Sequence, residues 1–159
     1  MPTIASSSLA RLAFTRWDNG NGAGVRIGSA GTVSVTGSLF GTTASGATSQ
    51  DAVSLGSYSG IQVENDSTIG GIAAVDRNVI SGNALNGIYV AGGSALITGN
   101  WIGVGVDGTT ALGNGSRGVF VQAVDVEIGG VGTGEGNVIH NNGVGVEIIA
   151  GSSGVRVQG

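Results

Sequence analysis

The chain has 159 residues, of which 33 are Gly, one is Pro and none is Cys; charged residues make up 10 %, Lys is absent, and the net charge is −4. A sparse, negative charge gives no footprint for nucleic acid or an anionic membrane, and a chain without Cys has neither disulfides nor thiolate metal sites. A 40 % hydrophobic content argues against disorder, and Gly without Pro or a three-residue period argues against collagen.

Residues 1–23 stand apart from the rest of the chain and read as an N-terminal cap or partial coil. The opening Met1-Pro2-Thr3-Ile4-Ala5-Ser6-Ser7-Ser8 has no basic segment followed by an apolar one, so it does not read as a signal peptide. Leu9, Leu12, Ala13 and Phe14 would form one face of a short capping helix. The alternative is a strand over Leu12–Trp17 from a preceding partial coil. It is favoured because Asp18-Asn19-Gly20-Asn21-Gly22 then makes a turn.

From residue 24 the chain repeats. Gly60-Ile61-Gln62-Val63 returns as Gly118-Val119-Phe120-Val121, 118 − 60 = 58 residues on, and Gly87-Ile88-Tyr89-Val90 returns as Gly145-Val146-Glu147-Ile148 at the same interval. Repeats of this size mean stacked supersecondary units. The Gly-apolar-x-apolar pattern begins at Gly24, Gly60, Gly87, Gly118 and Gly145. Period-two alternation puts the two apolar residues of each copy on one face and the residue between them on the other. The leading Gly suits an entry turn with positive φ.

A second strand follows each first one and ends at Val35-Thr36-Gly37, Ile69-Gly70-Gly71, Ile97-Thr98-Gly99, Ile128-Gly129-Gly130 and Val157-Gln158-Gly159. Two residues before each of these apolar positions stand Val33, Ser67, Ala95, Val126 and Val155, small enough to mark a narrow part of the core. A third strand reads Asn78-Val79-Ile80, Asn100-Trp101-Ile102 and Asn137-Val138-Ile139, with Ser38-Leu39-Phe40 as a degenerate first copy. Three strands and three bends, repeated, make one coil of an all-β parallel solenoid over residues 24–159. About five such coils, at the ~4.8 Å strand spacing, would form a rod on the order of 25 Å long. Asn at a bend tolerates left-handed backbone and can bond to the Asn above it, so Asn78, Asn100 and Asn137 are expected to form a structural ladder. Asn83, Asn114 and Asn141, each four residues before a strand-opening Gly, are expected to form a second. Val155-Arg156-Val157-Gln158-Gly159 completes a second strand with no polar cap after it. That ending points to a fragment of a longer solenoid or to end-to-end stacking.

These residues resemble the right-handed parallel β-helix proteins of the pectin-lyase-like type, nearest to repeat-rich extracellular proteins of bacteria. The likeness rests on Asn78-Val79-Ile80-Ser81-Gly82-Asn83-Ala84-Leu85-Asn86-Gly87-Ile88-Tyr89-Val90, on Ile97–Gly103, and on the longer turn Asp107–Asn114. It covers roughly residues 24–159 and is specific for fold. It implies a right-handed helix and an extracellular or cell-surface setting. The same helix carries lyases, hydrolases, adhesins and phage spikes, so function must be argued from sites.

The outward residues of the first strand are Arg26, Gln62, Tyr89, Phe120 and Glu147. The resemblance implies that enzymes of this fold hold substrate on one such face, and stacked aromatics such as Tyr89 and Phe120 can bind sugar rings. The plainer reading is a cross-strand pair that stabilises the sheet. Catalysis on this fold would require clustered carboxylates for hydrolysis, or a base with Ca2+ for β-elimination. Asp125 and Glu127 alternate on one strand and are the best candidates, with Ser94 or Ala95 and Arg156 on neighbouring coils; Glu64 and Asp66 also share a face. Arg77, Arg117 and Arg156 lie near no obvious acid pair, and surface carboxylates that keep the rod soluble explain the acids equally well. His140 is the only His and has no partner for a metal or triad role; the Asp107-Gly108-Thr109-Thr110 turn offers one carboxylate, thin for Ca2+ and ordinary for a turn. The outward column Leu39, Val79, Trp101 and Val138 would be sticky unless a partner or the long turns at 41–59 and 103–117 cover it.

No apolar run approaches the ~20 residues of a membrane span. The reading that results is a structural or adhesive β-helix segment of a secreted or surface-displayed bacterial protein. It would bind a glycan or protein surface through one sheet face and its loops, with end-to-end or lateral self-association. No cofactor is expected, the one alternative being a Ca2+ site that adds backbone carbonyls to Asp107 in the 107–110 turn. The alternative is a fragment of a polysaccharide lyase or glycoside hydrolase, or of a phage tailspike.

Overall fold

The computed structural model describes residues 6–14, 22–28, 31–43, 45–48 and 59–159. Among them the chain is all-β apart from one 3-10 turn, Ala74–Asp76. The strands, in chain order, are β1 (Ser6–Ala10), β2 (Ala13–Phe14), β3 (Ala23–Ile27), β4 (Thr32–Thr36), β5 (Leu39–Phe40), β6 (Ser59–Val63), β7 (Ser67–Gly70) and β8 (Val79–Ile80). They continue as β9 (Ile88–Val90), β10 (Ala95–Thr98), β11 (Trp101–Ile102), β12 (Arg117–Val121), β13 (Val126–Ile128), β14 (Val138–Ile139), β15 (Val144–Ile148) and β16 (Arg156–Val157).

Every pairing between these strands is parallel, and the strands sort into three sheets visited in rotation. Sheet A runs β1-β4-β7-β10-β13-β16, sheet B runs β2-β5-β8-β11-β14, and sheet C runs β3-β6-β9-β12-β15. Each strand leads to one in the next sheet, and its hydrogen-bonded neighbours come from the previous and following passes. That is the arrangement of a parallel β-helix. Strands β1 and β2 pair with β4 and β5, so Leu9 and Leu12 belong to a sheet-A strand and the bend after it. Residues 15–21, the end of the anticipated Leu12–Trp17 strand and most of its turn, lie outside the described residues.

The register stacks like on like. Ile61, Ile88, Val119 and Val146 align in sheet C, as do Ile27, Val63, Val90, Val121 and Ile148. Val35, Ile69, Ile97, Ile128 and Val157 align in sheet A, with Val33, Ser67, Ala95 and Val126 forming the narrower column beside them. Phe40, Ile80, Ile102 and Ile139 align in sheet B. In the middle of the stack these side chains are fully buried and form one core, while at its lower end Ile148 and Val157 are exposed. The alternation of buried and outward residues follows from the two-residue period of a strand.

Sheet B strands are only two residues long, so few ladder hydrogen bonds hold them. Asparagines brace the bends on both sides. Asn78 Nδ2 donates to Asn100 Oδ1 at 2.9 Å, and Asn100 Nδ2 to Asn137 Oδ1 at 3.0 Å. The same oxygens accept the main-chain N–H of the Asn one pass earlier, and Ser38 N–H begins the series by donating to Asn78 Oδ1 at 3.0 Å. On the other side of sheet B, Asn83 Nδ2 donates to Asn114 Oδ1 and Asn114 Nδ2 to Asn142 Oδ1, both at 2.8 Å. The third member is Asn142, not the expected Asn141. Counting back from the strand-opening Gly misplaced it, because the 142–145 bend is one residue shorter than the 114–118 bend; Asn83 and Asn142 each lie three residues after the core isoleucine. Asn141 instead adopts a left-handed φ of 59° and donates to Gly103 O at 3.2 Å.

The strand-opening glycines also have a different cause from the one expected. Positive φ occurs at other glycines, and not at Gly60, Gly87 or Gly118. What excludes a side chain there is close approach: a Cβ on Gly87 would lie 2.6 Å from Gly118 O and 3.0 Å from the Ile102 γ-methyl.

Two substitutions test this packing. Ile102→Asp places a carboxylate in a fully buried aliphatic column with no partner, and the chain is expected to lose its β-sheet circular dichroism; soluble, folded protein would contradict the inward assignment. Asn100→Ala strips hydrogen bonds from Asn78, Asn137 and the carbonyls of Ile69 and Thr98, and is expected to lower stability by about 2–4 kcal/mol in urea denaturation. An unchanged midpoint would remove the ladder as a source of stability.

Candidate functional site

The outward face of sheet C gathers the column expected from the alternation. Arg26 pairs with Gln62, Gln62 with Tyr89, Tyr89 with Phe120 and Phe120 with Glu147. The Tyr89 and Phe120 rings stack with centroids 5.2 Å apart and planes 22° from parallel. Arg117 joins them although it precedes the strand-opening Gly and not the outward position. Its guanidinium lies 4.5 Å from the Phe120 centroid and forms an ion pair with Glu147 one pass further down. Phe120 thus meets both the Tyr89 ring and the Arg117 guanidinium. Among the described residues Tyr89 has one ring face against Phe120 and no ring or guanidinium on the other, which lies toward Gln62. The Tyr89 hydroxyl donates to Gln122 Oε1. At the upper end, Glu64 accepts from Arg26 Nε at 2.8 Å and from Gln62 Nε2 at 2.7 Å.

The face is therefore a row of polar and aromatic groups that hold one another in place. Exposed ion pairs of this kind add little stability individually. Their effect is to orient the side chains and to balance the charges of Glu64 and Glu147 with Arg26 and Arg117.

The candidate acids lie elsewhere. Asp125 and Glu127 line a shallow groove of about 300 Å3 on the outer side of sheet A, together with Asp66, Ser94, Thr68 and Leu96. Glu127 aligns with Leu96 above and Arg156 below, so Leu96 occupies the neighbouring place where Ser94 or Ala95 was expected. Asp66 and Glu64 do not share a face. Asp66 turns toward sheet A and accepts from Ser94 N and Oγ, both at 2.9 Å, whereas Glu64 turns toward sheet C. Residues 64–66 form a bend, where the two-residue alternation that would put both acids on one face does not apply.

The long turn 103–113 is a small hairpin with an antiparallel bridge between Val104 and Ala111. Asp107 caps it, accepting from the N–H groups of Thr109 and Thr110 and from Thr110 Oγ1 at 2.6 Å. The Asp107 oxygens thus face donors, an arrangement for a turn and not for a cation. Among the described residues no three His, Cys, Asp or Glu side chains come together in a way that could hold a metal ion. His140 is exposed. The turn also covers part of the outward column of sheet B. Gly108 packs against Trp101, Arg77 stacks 4.4 Å from the Trp101 centroid, and Val106 meets Gly46 of the upper long turn. Val79 is buried, Leu39 half-buried and Val138 exposed, so the cover thins toward the lower end.

Comparison with known proteins adds no relative: no protein-family model, no curated protein and no solved structure matches this chain significantly.

Three carboxylates are held below their ordinary values. The Arg26 hydrogen bond lowers Glu64, the backbone and hydroxyl donors of Ser94 lower Asp66, and the Thr110 hydroxyl with the Thr109 and Thr110 amides lowers Asp107. Each releases its proton more readily in the folded chain, so the unfolded chain takes up more protons on acidification. The stability they contribute is complete above the ordinary values of 4.5 for Glu64 and 3.8 for Asp66 and Asp107, and is lost as pH falls through the lower folded values. Thermal melting is expected to fall in that acidic window, and Asp107→Asn is expected to flatten part of the dependence. A melting temperature indifferent to acid would refute these assignments.

Proposed function

We propose that this chain is a structural and adhesive β-helix segment that presents the outer face of sheet C to a glycan. In this reading it is a right-handed solenoid of about five coils, the hand that parallel crossovers prefer, of the pectin-lyase-like type. It works outside the cell or on a bacterial surface. The absence of Cys and the low charge are compatible with that setting.

The observation that carries the reading is the stacked pair Tyr89 and Phe120 on the outer face of sheet C, with Arg117 over the Phe120 ring, an arrangement that holds the aromatic surface in place before any ligand arrives. A flat, fixed aromatic surface bordered by amides suits the apolar face and hydroxyl rim of a sugar ring. Gln62 and Gln122 stand on either side, each with a polar atom beyond those engaged with Glu64 and Tyr89.

The lyase or hydrolase reading would have to rest on Asp125 and Glu127 in the sheet A groove.

Two measurements decide between these readings. On a glycan array the chain is expected to retain a neutral glycan, and Tyr89→Ala to weaken that binding about tenfold, the worth of one aromatic contact. Retention of no glycan, or equal retention by the variant, would defeat the proposal. Incubation with acidic polysaccharides, with and without Ca2+, is expected to release no unsaturated sugar ends; steady product absorbance would establish the enzymatic alternative.

A further inference from the structure

The two amides beside Tyr89 are fixed in opposite senses. An ionised Glu64 has only acceptor oxygens, so Gln62 must turn its Nε2 toward it, and does so at 2.7 Å. Gln62 Oε1 is left as an acceptor with no hydrogen-bond partner among the described residues. Gln122 is held the other way round. Its Oε1 accepts from the Tyr89 hydroxyl, and its Nε2 is left as a donor with no partner among the described residues.

A short side chain separates the groups that do this. The N–H groups of Glu64, Ala91 and Gln122 donate to Ile27 O, Val63 O and Val90 O at 2.8, 2.7 and 2.8 Å, the same ladder step in three successive passes. Ala91 therefore stands below Glu64 and above Gln122, with only a methyl group where its neighbours carry long side chains. Gln62 and Tyr89 lie on β6 and β9 and Gln122 directly follows β12, so a strand of sheet C runs above and below all three.

The acceptor and the donor belong to passes two apart, about 10 Å at the spacing of strands. A trans amide bridges such a separation: in a sheet, a peptide unit of a middle strand bonds its N–H to one neighbour and its C=O to the other. A single hydroxyl, with donor and acceptor on one oxygen, reaches partners only about 5–6 Å apart.

We propose that the outer face of sheet C selects a neutral glycan that carries N-acetylated sugars. The acetamido N–H donates to Gln62 Oε1, the acetamido C=O accepts from Gln122 Nε2, and the methyl group lies over Ala91. This rests on the reading of the face as a glycan surface and adds the chemical class. Glu64 is a positioning residue, because it decides which atom Gln62 offers. A sugar carboxylate is disfavoured at the same place, where it would meet the Gln62 oxygen and the Glu64 charge.

The test is the affinity of the folded chain for chitopentaose and for cellopentaose in titration calorimetry. Both are uncharged and β-1,4-linked, and they differ in the substituent at C2. Chitopentaose is expected to bind at least about tenfold more tightly, the worth of one to two hydrogen bonds. Gln62→Leu is expected to bring the two affinities together, and Glu64→Gln, which lets the Gln62 amide turn over, to narrow the preference several-fold. Tyr89→Ala is expected to weaken both sugars alike, so the ratio of affinities reports the acetamido contacts and their sum reports the face. Equal affinities that still depend on Tyr89 would overturn the acetamido assignment and leave the glycan reading standing. A preference that survives Gln62→Leu, or binding of neither pentaose, would also overturn it; in the last case the glycan array decides the broader reading separately.

Discussion

The structure depends on one constraint: each inward side chain must rest on its counterpart one pass of the chain away. Ile80 sits on Ile102 and Ile102 on Ile139, and the same holds for the aligned columns of sheets A and C. A core built in this way needs no helix and no long strand. It needs register, because sliding one strand by a single residue would turn its apolar set outward. Two-residue strands cannot secure register with their own hydrogen bonds. The Asn ladders do so, because the Oδ1 atoms of Asn100, Asn137, Asn114 and Asn142 each accept both N–H groups of the Asn one pass earlier, and this geometry ties each bend to its counterpart.

The ladders flank sheet B, where the strands are shortest, and the bends they brace are among the most deeply buried polar positions in the stack. Asn78 and Asn100 are completely shielded from solvent. Polar groups at such positions are costly unless their bonds are made; Asn78 and Asn100 make theirs, whereas Asn83 Oδ1, at the start of the second ladder, is buried without a hydrogen-bond partner.

The outer surface is governed by the same repetition. A residue that faces outward on one pass lies beside the outward residue of the next, so side chains form rows. In sheet C the row is Arg26, Gln62, Tyr89, Phe120 and Glu147, and its charged members are paired with Glu64 and Arg117. In sheet A it includes Thr68, Leu96, Glu127 and Arg156. Groups held this rigidly suit recognition, since little freedom is lost when a ligand arrives. The membership of the sheet C row was legible in the period-two pattern. The place of Arg117 was not, because it stands at a bend, where the alternation of faces no longer applies. Glu64 and Asp66 parted for the same reason.

The sequence alone determined the strand pattern, the aligned aliphatic columns and the first Asn ladder, because each depends on a spacing that recurs along the chain. The tertiary structure alone decided whatever happens at the bends. It chose Asn142 over Asn141, made close approach and not positive φ the reason for Gly60, Gly87 and Gly118, folded the 103–113 turn over Trp101, and set Arg117 against Phe120. The physical reason is common to all four. Within a strand, direction follows from parity, whereas at a bend it follows from whichever backbone and side chains the neighbouring passes bring within a few ångströms.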